Sequence, residues 1–257
     1  MKISVITLFP DMFTGFKTSS IINKAILKGI VEYEVVDMRS FTEDRHNRVD
    51  DYPYGGGLGL VLMCQPVIDA IKATRTEKSL VIMMTPQGKT LKQSLAYDLS
   101  KHEHLVLVCG HYEGFDERIR MYVDMEMSIG DYVLTGGEVA AMVISDAVIR
   151  LVDGVITQES HEDDSFSDGL LEYPHYTRPR VYEGHEVPDV LVSGHHENVK
   201  RFRLKESLRK TQRVRPDLLE NREFSKLEQT LMEEIAQENR GSKQSFTLFV
   251  NSLTHME

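Results

Sequence analysis

The sequence contains few cysteines, no long apolar segment and no excess of basic residues. Its two cysteines, Cys64 and Cys109, exclude a disulfide scaffold and a four-cysteine zinc site, and we expect both to be buried structural thiols. The N-terminal apolar run, residues 3–9, is too short for a signal-peptide core or a membrane span. Acidic residues outnumber basic ones by 40 to 30, which excludes a uniformly basic nucleic-acid-binding protein but leaves room for a local basic surface. These absences predict a soluble, cytoplasmic globular protein with no membrane partner.

The first half of the chain alternates strand patterns with helix patterns. Short apolar or β-branched runs at residues 3–8, 33–38, 80–84 and 105–109 predict strands, and residues 20–28 and 91–100 have helical patterns. Because the last two strands are almost continuously apolar, we expect them to be buried on both faces, as in a parallel sheet covered by helices. The predicted fold class is therefore α/β over roughly the first 150 residues.

The composition changes after this α/β region. Residues 159–168 contain five acidic residues and no lysine or arginine, a composition typical of a solvated linker. The acidic residues are Glu159, Glu162, Asp163, Asp164 and Asp168. Residues 195–215 have a helical pattern with eight basic residues against two glutamates, and a last helix has Leu227, Leu231 and Ile235 at core spacing. We predict a first domain at residues 1–157, an acidic linker at 158–168 and a helical domain at 169–257.

Three glycine-containing loops follow strand ends, where open α/β sheets bind their ligands. Residues 85–90 end in Gly-Lys-Thr, but a phosphate loop also needs a glycine at position 83, which is methionine, so a nucleotide-hydrolysing loop is excluded. Residues 109–114 form either a plain tight turn or a binding loop in which Gly110 admits a flat ligand to the backbone and Tyr112 covers it.

The third loop, residues 128–138, precedes an apolar helix at about residues 139–149. Thr135 and Glu138 have the spacing of a capping box, so the loop could serve only to begin that helix. Its glycines at 130, 136 and 137 also leave backbone groups accessible to an adenine edge. The chain has no G-x-G-x-x-G motif, which disfavours an ordinary dinucleotide-binding fold.

A fourth glycine loop, residues 50–59, follows a basic segment and no predicted strand. It is either a flexible surface loop or a grip for single-stranded nucleic acid, since tyrosine beside arginine can stack on unpaired bases.

Together these loops closely resemble the bacterial tRNA (guanine-N1)-methyltransferases of the knotted SPOUT class. The matching motifs follow the family's order along nearly the whole chain: Leu8-Phe9-Pro10, Asp44-Arg45-His46, residues 50–57, 85–88, 108–114, 128–138, Asp164-Ser165-Phe166 and residues 174–179. The resemblance implies a parallel-sheet SPOUT domain with a deep C-terminal trefoil knot, followed by a small helical domain. It also implies S-adenosyl-L-methionine as cofactor and a homodimer with its active site at the dimer interface.

The substrate implied by the resemblance is the anticodon stem-loop of tRNA. The family methylates N1 of the guanine just 3′ of the anticodon when another guanine precedes it. Asp164 matches its general base, and Arg150 matches the arginine that stabilises O6 of the guanine. The methyl donor would be held by Met84, Thr85, Pro86, Gln87, Gly110, Tyr112, Ile129, Gly130, Asp131, Tyr132, Val133, Leu134, Gly136 and Gly137.

Contacts with RNA are expected from the fourth glycine loop and from one face of the basic helix: Arg45, Tyr54, Gly56, Gly57, Arg201, Lys205 and Arg209. Glu113 matches a residue that could bind Mg²⁺, a second candidate cofactor. His111 stands where the family often has arginine, so no role is assigned to it. A non-catalytic RNA-binding protein with the same fold is the alternative, and titration with S-adenosylmethionine separates the two.

Overall fold

The structure is a computed structural model that describes residues 1–156, 165–166 and 168–254, with side chains to residue 240. The chain divides into two compact units, Met1–Gln158 and Glu159–Glu257. The strands of the first unit are β1 (Lys2–Thr7), β2 (Glu32–Asp37), β3 (Asp50–Asp51), β4 (Val61–Leu62), β5 (Ser79–Thr90), β6 (His104–Val108) and β7 (Met125–Ser128). Its helices are α1 (Thr14–Thr18), α2 (Ser20–Leu27), α3 (Cys64–Thr74), α4 (Gln93–Ser100) and α5 (Glu138–Ile149).

The central sheet is parallel throughout, with the strand order β2-β1-β6-β5-β7. Side chains alternate between its two faces, so Val5 of β1 shares a core with Ile144 of α5 while Ile6 shares a separate core with Val67 of α3. All of β6 is buried, which explains why its residues 105–108 are apolar without alternation. The predicted α/β fold class is confirmed.

The structure departs from the sequence prediction around β5 and β7. Strand β5 continues to Thr90, and both Met84 and Lys89 align with Met127 of β7, so residues 85–88 bulge out of the ladder between them. Strand β7 has no apolar run in its sequence, because Glu126 lies within it. In the structure Glu126 pairs with Arg120. The loop expected after the third predicted strand is therefore a bulge inside a longer strand.

Three smaller expectations are wrong. The sequence predicts no strand at the fourth glycine loop, but Asp50 and Asp51 form β3, which pairs with β4 in a short antiparallel hairpin. Helix α5 begins at Glu138 with Gly137 as its N-cap, and within the described part of the chain this cap has no side-chain hydrogen bond, so Thr135 forms no capping box. Cys109 is buried as expected, and burial raises the pKa of its thiol, but Cys64 is only half-buried.

The second unit contains a short hairpin and helices, namely β8 (Val181–Tyr182), β9 (His185–Glu186), α6 (Asp189–Val192), α7 (His196–Val214) and α8 (Lys226–Thr254). A small core joins Leu170, Leu208 of α7, and Leu231 and Ile235 of α8. Leu227 is 46% exposed, so its predicted core position is wrong. The domain limits and the knot stay predictions. Among the described helices, none combines the length and apolar character needed to cross a bilayer.

Candidate functional site

A cavity of about 410 Å³ lies at the carboxyl ends of β6 and β7 and at the bulge of β5, beside the N-terminus of α5. Most of its wall comes from residues 84–87, 110–115, 127–130 and 132–137. Its size is that of a pocket for a small molecule or cofactor, and its place at the strand ends is where open α/β sheets bind ligands.

The first wall of the cavity is the bulge in β5. Gly88 permits the bulge, because a Cβ there would lie 2.3 Å from the backbone nitrogen of Met127. Arg120 donates from Nη2 to the side-chain oxygen of Gln87 at 2.8 Å and also pairs with Glu126 of β7. These contacts hold residues 85–87 on the cavity wall.

The second and third glycine loops meet backbone against backbone. The amide of Gly137 donates to the carbonyl of Gly110 at 2.8 Å, and His111 and Gly136 form an isolated antiparallel bridge. A Cβ on Gly137 would lie 2.8 Å from the Cα of Cys109 and 2.9 Å from the nitrogen of Gly110. Only glycine allows this approach, so the cavity depends on the absence of a side chain at position 137.

The third loop is folded by short local contacts. The hydroxyl of Ser128 accepts from the amide of Gly130 at 3.1 Å and donates to its carbonyl at 3.0 Å. Beyond this turn, Tyr132 and Val133 are exposed at 54% and 83% while also lining the cavity. The loop therefore supplies an apolar edge to the cavity.

A buried carboxylate lies behind the cavity wall. Glu138 accepts a hydrogen bond from the hydroxyl of Thr7 at 2.7 Å, and its other oxygen lies 3.0 Å from Nε2 of His111, whose ring centroid is 4.7 Å from that of Phe9. Its side chain is 2% exposed. This network joins β1, the second loop and α5, and it gives the charged group the partners that burial demands. It makes Glu138 a structural partner of His111.

The hairpin of the fourth glycine loop is attached to the same cavity. Leu62 donates its amide to the carbonyl of Gly114 at 2.9 Å, and Glu113 donates its amide to the carbonyl of Leu60 at 3.0 Å. At the far end of the loop, the side chain of Tyr54 is fully exposed. The preceding turn is organised by Asp44, whose pKa is held well below its ordinary value, first by hydrogen bonds from the Arg48 side chain.

A family model described as tRNA (Guanine-1)-methyltransferase TrmD matches residues 1–221. Curated tRNA (guanine-N(1)-)-methyltransferases from Bacillus cereus, Bacillus anthracis and Bacillus thuringiensis subsp. konkukian are each 56% identical over 240 residues, covering 91% of this chain and 98% of the relative. The chain belongs to the TrmD family. That family has the SPOUT fold, and the five-stranded parallel sheet is the central sheet of a SPOUT domain.

The cavity brings together nearly all the residues that the TrmD resemblance assigned to the methyl donor. Only Asp131 among them is absent from its described lining. The lining also includes residues without a predicted donor role, among them His111, Phe115, Glu117 and Arg120. No periodicity marks these residues, and among them only His111 comes just after the strand predicted at residues 105–109.

The family resemblance assigned two residues to catalysis, and the structure describes only one of them. Asp164 lies outside the described residues. Arg150 is the C-cap of α5, half-buried, and its amide donates to the carbonyl of Asp146 at 3.2 Å. The structure therefore locates one of the two, and their roles stay predictions.

The residues expected to touch RNA are divided between the two units. Arg45 donates to Nε2 of His46 at 3.0 Å, and Gly56 and Gly57, at φ +80° and +135°, lie near the tip of the first-unit hairpin with Tyr54. Arg201, Lys205 and Arg209 of α7 instead contact two acids of α8, Glu234 and Glu238.

These ion pairs neutralise much of the predicted basic face. Lys205 lies 2.8 Å from a carboxylate oxygen of each glutamate, and Arg209 lies 2.7 Å from Glu238. Hydrogen bonds from Lys205, and then from Arg209, lower the pKa of Glu238. The sequence pattern could not show this, because the acids belong to a different helix.

The described residues contain no cluster of three or more His, Cys, Asp or Glu side chains that could hold a metal ion. Glu113 does line the cavity. A requirement for Mg²⁺ therefore stays a prediction for enzymatic assay.

Proposed function

We propose that this chain is a tRNA (guanine-N1)-methyltransferase that uses S-adenosylmethionine and modifies the guanine just 3′ of the anticodon. The observation that carries the proposal is the cavity in which the bulge of β5, the Cys109–Gly114 turn and the loop before α5 converge. The TrmD-family membership of the chain and its curated relatives supply the reaction class.

The residues of the cavity fit S-adenosylmethionine. Gly110, Gly136 and Gly137 are required by the packing of the loops, since a Cβ on each would meet neighbouring protein atoms at 2.8 Å or less. This packing places the main chain of both loops on the cavity wall, where it can contact a purine. Residues 84–87 and 129–134 would enclose the remainder of the molecule, with Glu113 and Glu117 as carboxylates for its positive groups. When bound, S-adenosylmethionine supplies an electrophilic methyl group.

The protein must remove one proton from the guanine. N1 carries a hydrogen at neutral pH, and a carboxylate within hydrogen-bond reach can accept it as the methyl group arrives. We assign this role to Asp164. Free aspartate, with a pKa near 3.9, is a weak base. Glu162 and Asp163 are like charges beside it in sequence, which would raise its pKa.

Arg150 is assigned to the charge that develops on O6 of the guanine as N1 loses its proton. A donor of this kind typically contributes about 10²–10³-fold to the rate. Arg150 and Gly137 lie at opposite ends of α5, which at 1.5 Å per residue is about 18 Å long. This separation exceeds the reach of an arginine side chain, so it supports an active site completed by a second copy of the chain.

Exposed apolar side chains also support a homodimer. Val139 and Val143 are one helical turn apart on α5 and are 47% and 42% exposed, and Val133 in the preceding loop is 83% exposed. Apolar side chains grouped on a surface commonly mark a protein–protein contact.

The direct test is a methyl-transfer assay on anticodon stem-loop transcripts in which the two guanines are varied independently. We expect transfer to the second guanine only when the first is present, with the methyl group mapped to N1. Modification of another atom, or transfer indifferent to both guanines, would contradict the proposal. Failure to bind S-adenosylmethionine in calorimetry would favour a protein that only binds RNA.

The variant Asp164→Asn tests the assignment of Asp164 as the general base. We expect this variant to bind S-adenosylmethionine like the parent and to lose turnover by about 10²–10⁴-fold, the usual contribution of a general base. Asp168→Asn is the matched control, since Asp168 accepts the Leu170 amide at 3.0 Å and an asparagine oxygen can do the same. Parental turnover in Asp164→Asn would reject the assignment.

A further inference from the structure

The second unit contains a cavity of about 640 Å³ that the methyl-donor site does not explain. It lies between the segment 173–180, helix α6 and helix α7. Three arginines, two tyrosines and a histidine contribute to its described lining, which includes no aspartate or glutamate. In a chain of net charge −10, this is a local concentration of positive and aromatic groups.

The aromatic side of this cavity is built around Tyr173. The guanidinium carbon of Arg203 lies 4.7 Å from the centroid of the Tyr173 ring, and the His175 ring centroid lies 4.8 Å from it. Tyr176 is 48% exposed while lining the same space. Aromatic rings and guanidinium planes of this kind stack on bases that have left a helical stack.

The cations of the cavity differ in how far they are already neutralised. Arg180 pairs with Asp189 at 2.6 Å, and His175 lies 2.6 Å from Glu172. Arg178 is exposed, and no ion-pair partner is found for it in the described part of the chain. It is therefore available to a phosphate, in contrast to the ion-paired cations of α7.

We propose that this cavity binds an unstacked nucleotide of the RNA substrate, with Tyr176 stacking on the base and Arg178 contacting a phosphate. The identity of that RNA as tRNA rests on the proposed function. A base needs an aromatic face and its backbone a cation. The cavity offers the exposed ring of Tyr176 for the first and Arg178, which has no ion-pair partner among the described residues, for the second.

The experiment measures tRNA binding to the full-length chain by filter binding at several salt concentrations, for Tyr176→Ala, Tyr176→Phe and Arg178→Gln. Lys226→Gln is the control, because Lys226 is an exposed cation of the same unit outside the cavity. Binding of S-adenosylmethionine and the thermal midpoint are measured for each variant, so that a folding defect is separated from a lost contact. A blunt RNA duplex serves as a substrate without unstacked bases.

Tyr176→Ala should weaken tRNA binding by about tenfold at every salt concentration, while Tyr176→Phe, which keeps the ring, should bind like the parent. Arg178→Gln should also lower the slope of log affinity against log salt by about 0.7, the contribution of one single-strand phosphate. Binding of the duplex and of S-adenosylmethionine should be unaffected by Tyr176→Ala.

Two results would overturn the proposal. One is parental tRNA affinity in both Tyr176→Ala and Arg178→Gln, and the other is an equal loss in Lys226→Gln, which would indicate unspecific attraction. Methyl transfer by the parent chain is measured as well, because it tests the enzymatic proposal independently of the cavity. If the parent methylates tRNA but Tyr176→Ala and Arg178→Gln bind tRNA as the parent does, only the cavity proposal is disproved. If the parent transfers no methyl group but Tyr176→Ala weakens its RNA binding, only the enzymatic proposal is disproved.

Discussion

At the scale of single residues, two glycines of the first unit differ sharply in what surrounds them. Gly137 faces backbone atoms of Cys109 and Gly110 at 2.8–2.9 Å, whereas Gly15 in α1 has nothing within 4 Å of an added Cβ. Neither has the positive φ that would itself require glycine. The comparison therefore isolates the effect of the close approach from that of backbone conformation.

Gly137→Ala should open the contact between the two loops. We expect a loss of about 1–3 kcal/mol in the free energy of unfolding, as in other overpacked sites, together with at least tenfold weaker binding of S-adenosylmethionine. Urea denaturation and calorimetry measure the two effects. Gly15→Ala adds the same methyl group to a helix and should be neutral or slightly stabilising. Equal behaviour of the two variants would show that the loop contact is unimportant.

Glu138 illustrates a residue whose role the sequence concealed. Its spacing from Thr135 favours a capping box, but the carboxylate bonds Thr7, which is 131 positions earlier in the chain. The Glu138 side chain could bond within the local capping motif or with residues that only the folded sheet brings close, and it bonds with the distant residues. Gly110 behaves in the opposite way, because its position directly after the strand predicted at residues 105–109 is enough to indicate the cavity.

At the scale of elements, the second unit depends on a small core. Leu231 of α8 is fully buried with Leu208 and Ile235, whereas Leu227, one turn earlier, is 46% exposed. Leu231→Ala should lower the stability of this unit by about 2–5 kcal/mol, and Leu227→Ala by much less, since only the first leaves a cavity. Hydrogen exchange of α7 and α8 peptides in the full chain measures this difference. Similar protection in the two variants would contradict the described core.

Helix α8 also shows the limit of predicting core positions from hydrophobic periodicity. The interval of four residues correctly places Leu231 and Ile235 in the core, but it cannot tell where the packed length of α8 begins, so Leu227 is wrongly included. Likewise, apolar runs predict the buried strands β5 and β6, while β7, interrupted by Glu126, has no such run. The bulge in β5 was equally hidden, because it exists only relative to the register of β7.

At the scale of the whole molecule, net charge conceals the arrangement of the charges. The basic stripe of α7 suggested an RNA-binding face, yet Glu234 and Glu238 pair with three of its cations, while Arg203 of the same basic segment lies over the Tyr173 ring instead. Charge pairing between helices depends on which faces meet, and that is decided by packing of their apolar residues. The fold class and the loops of the site were thus predictable, but the electrostatic surface was not.

The response of the molecule to acid should be set in part by His104, at the start of β6. It is buried between the hydroxyls of Ser4 and Ser79, at 2.9 and 2.7 Å from its ring nitrogens. Burial, and then the charge of Lys2, lower its pKa below the ordinary value of 6.5, against the opposing charges of Glu34 and Glu32. The neutral ring is therefore the form that the fold accommodates.

Because the unfolded chain binds this proton more readily than the folded one, the free energy of unfolding should fall as the pH drops from 7.5 through 6.5 towards the lowered pKa. The pKa of Glu34 is lowered mainly by its hydrogen bond from Lys2, and its contribution is lost only at more acidic pH, below its ordinary value of 4.5. Urea denaturation between pH 5 and 7.5 should give a slope that is reduced in His104→Asn and unchanged in His102→Gln, which alters an exposed histidine two positions away. An unreduced slope in His104→Asn would assign the acid sensitivity to other groups.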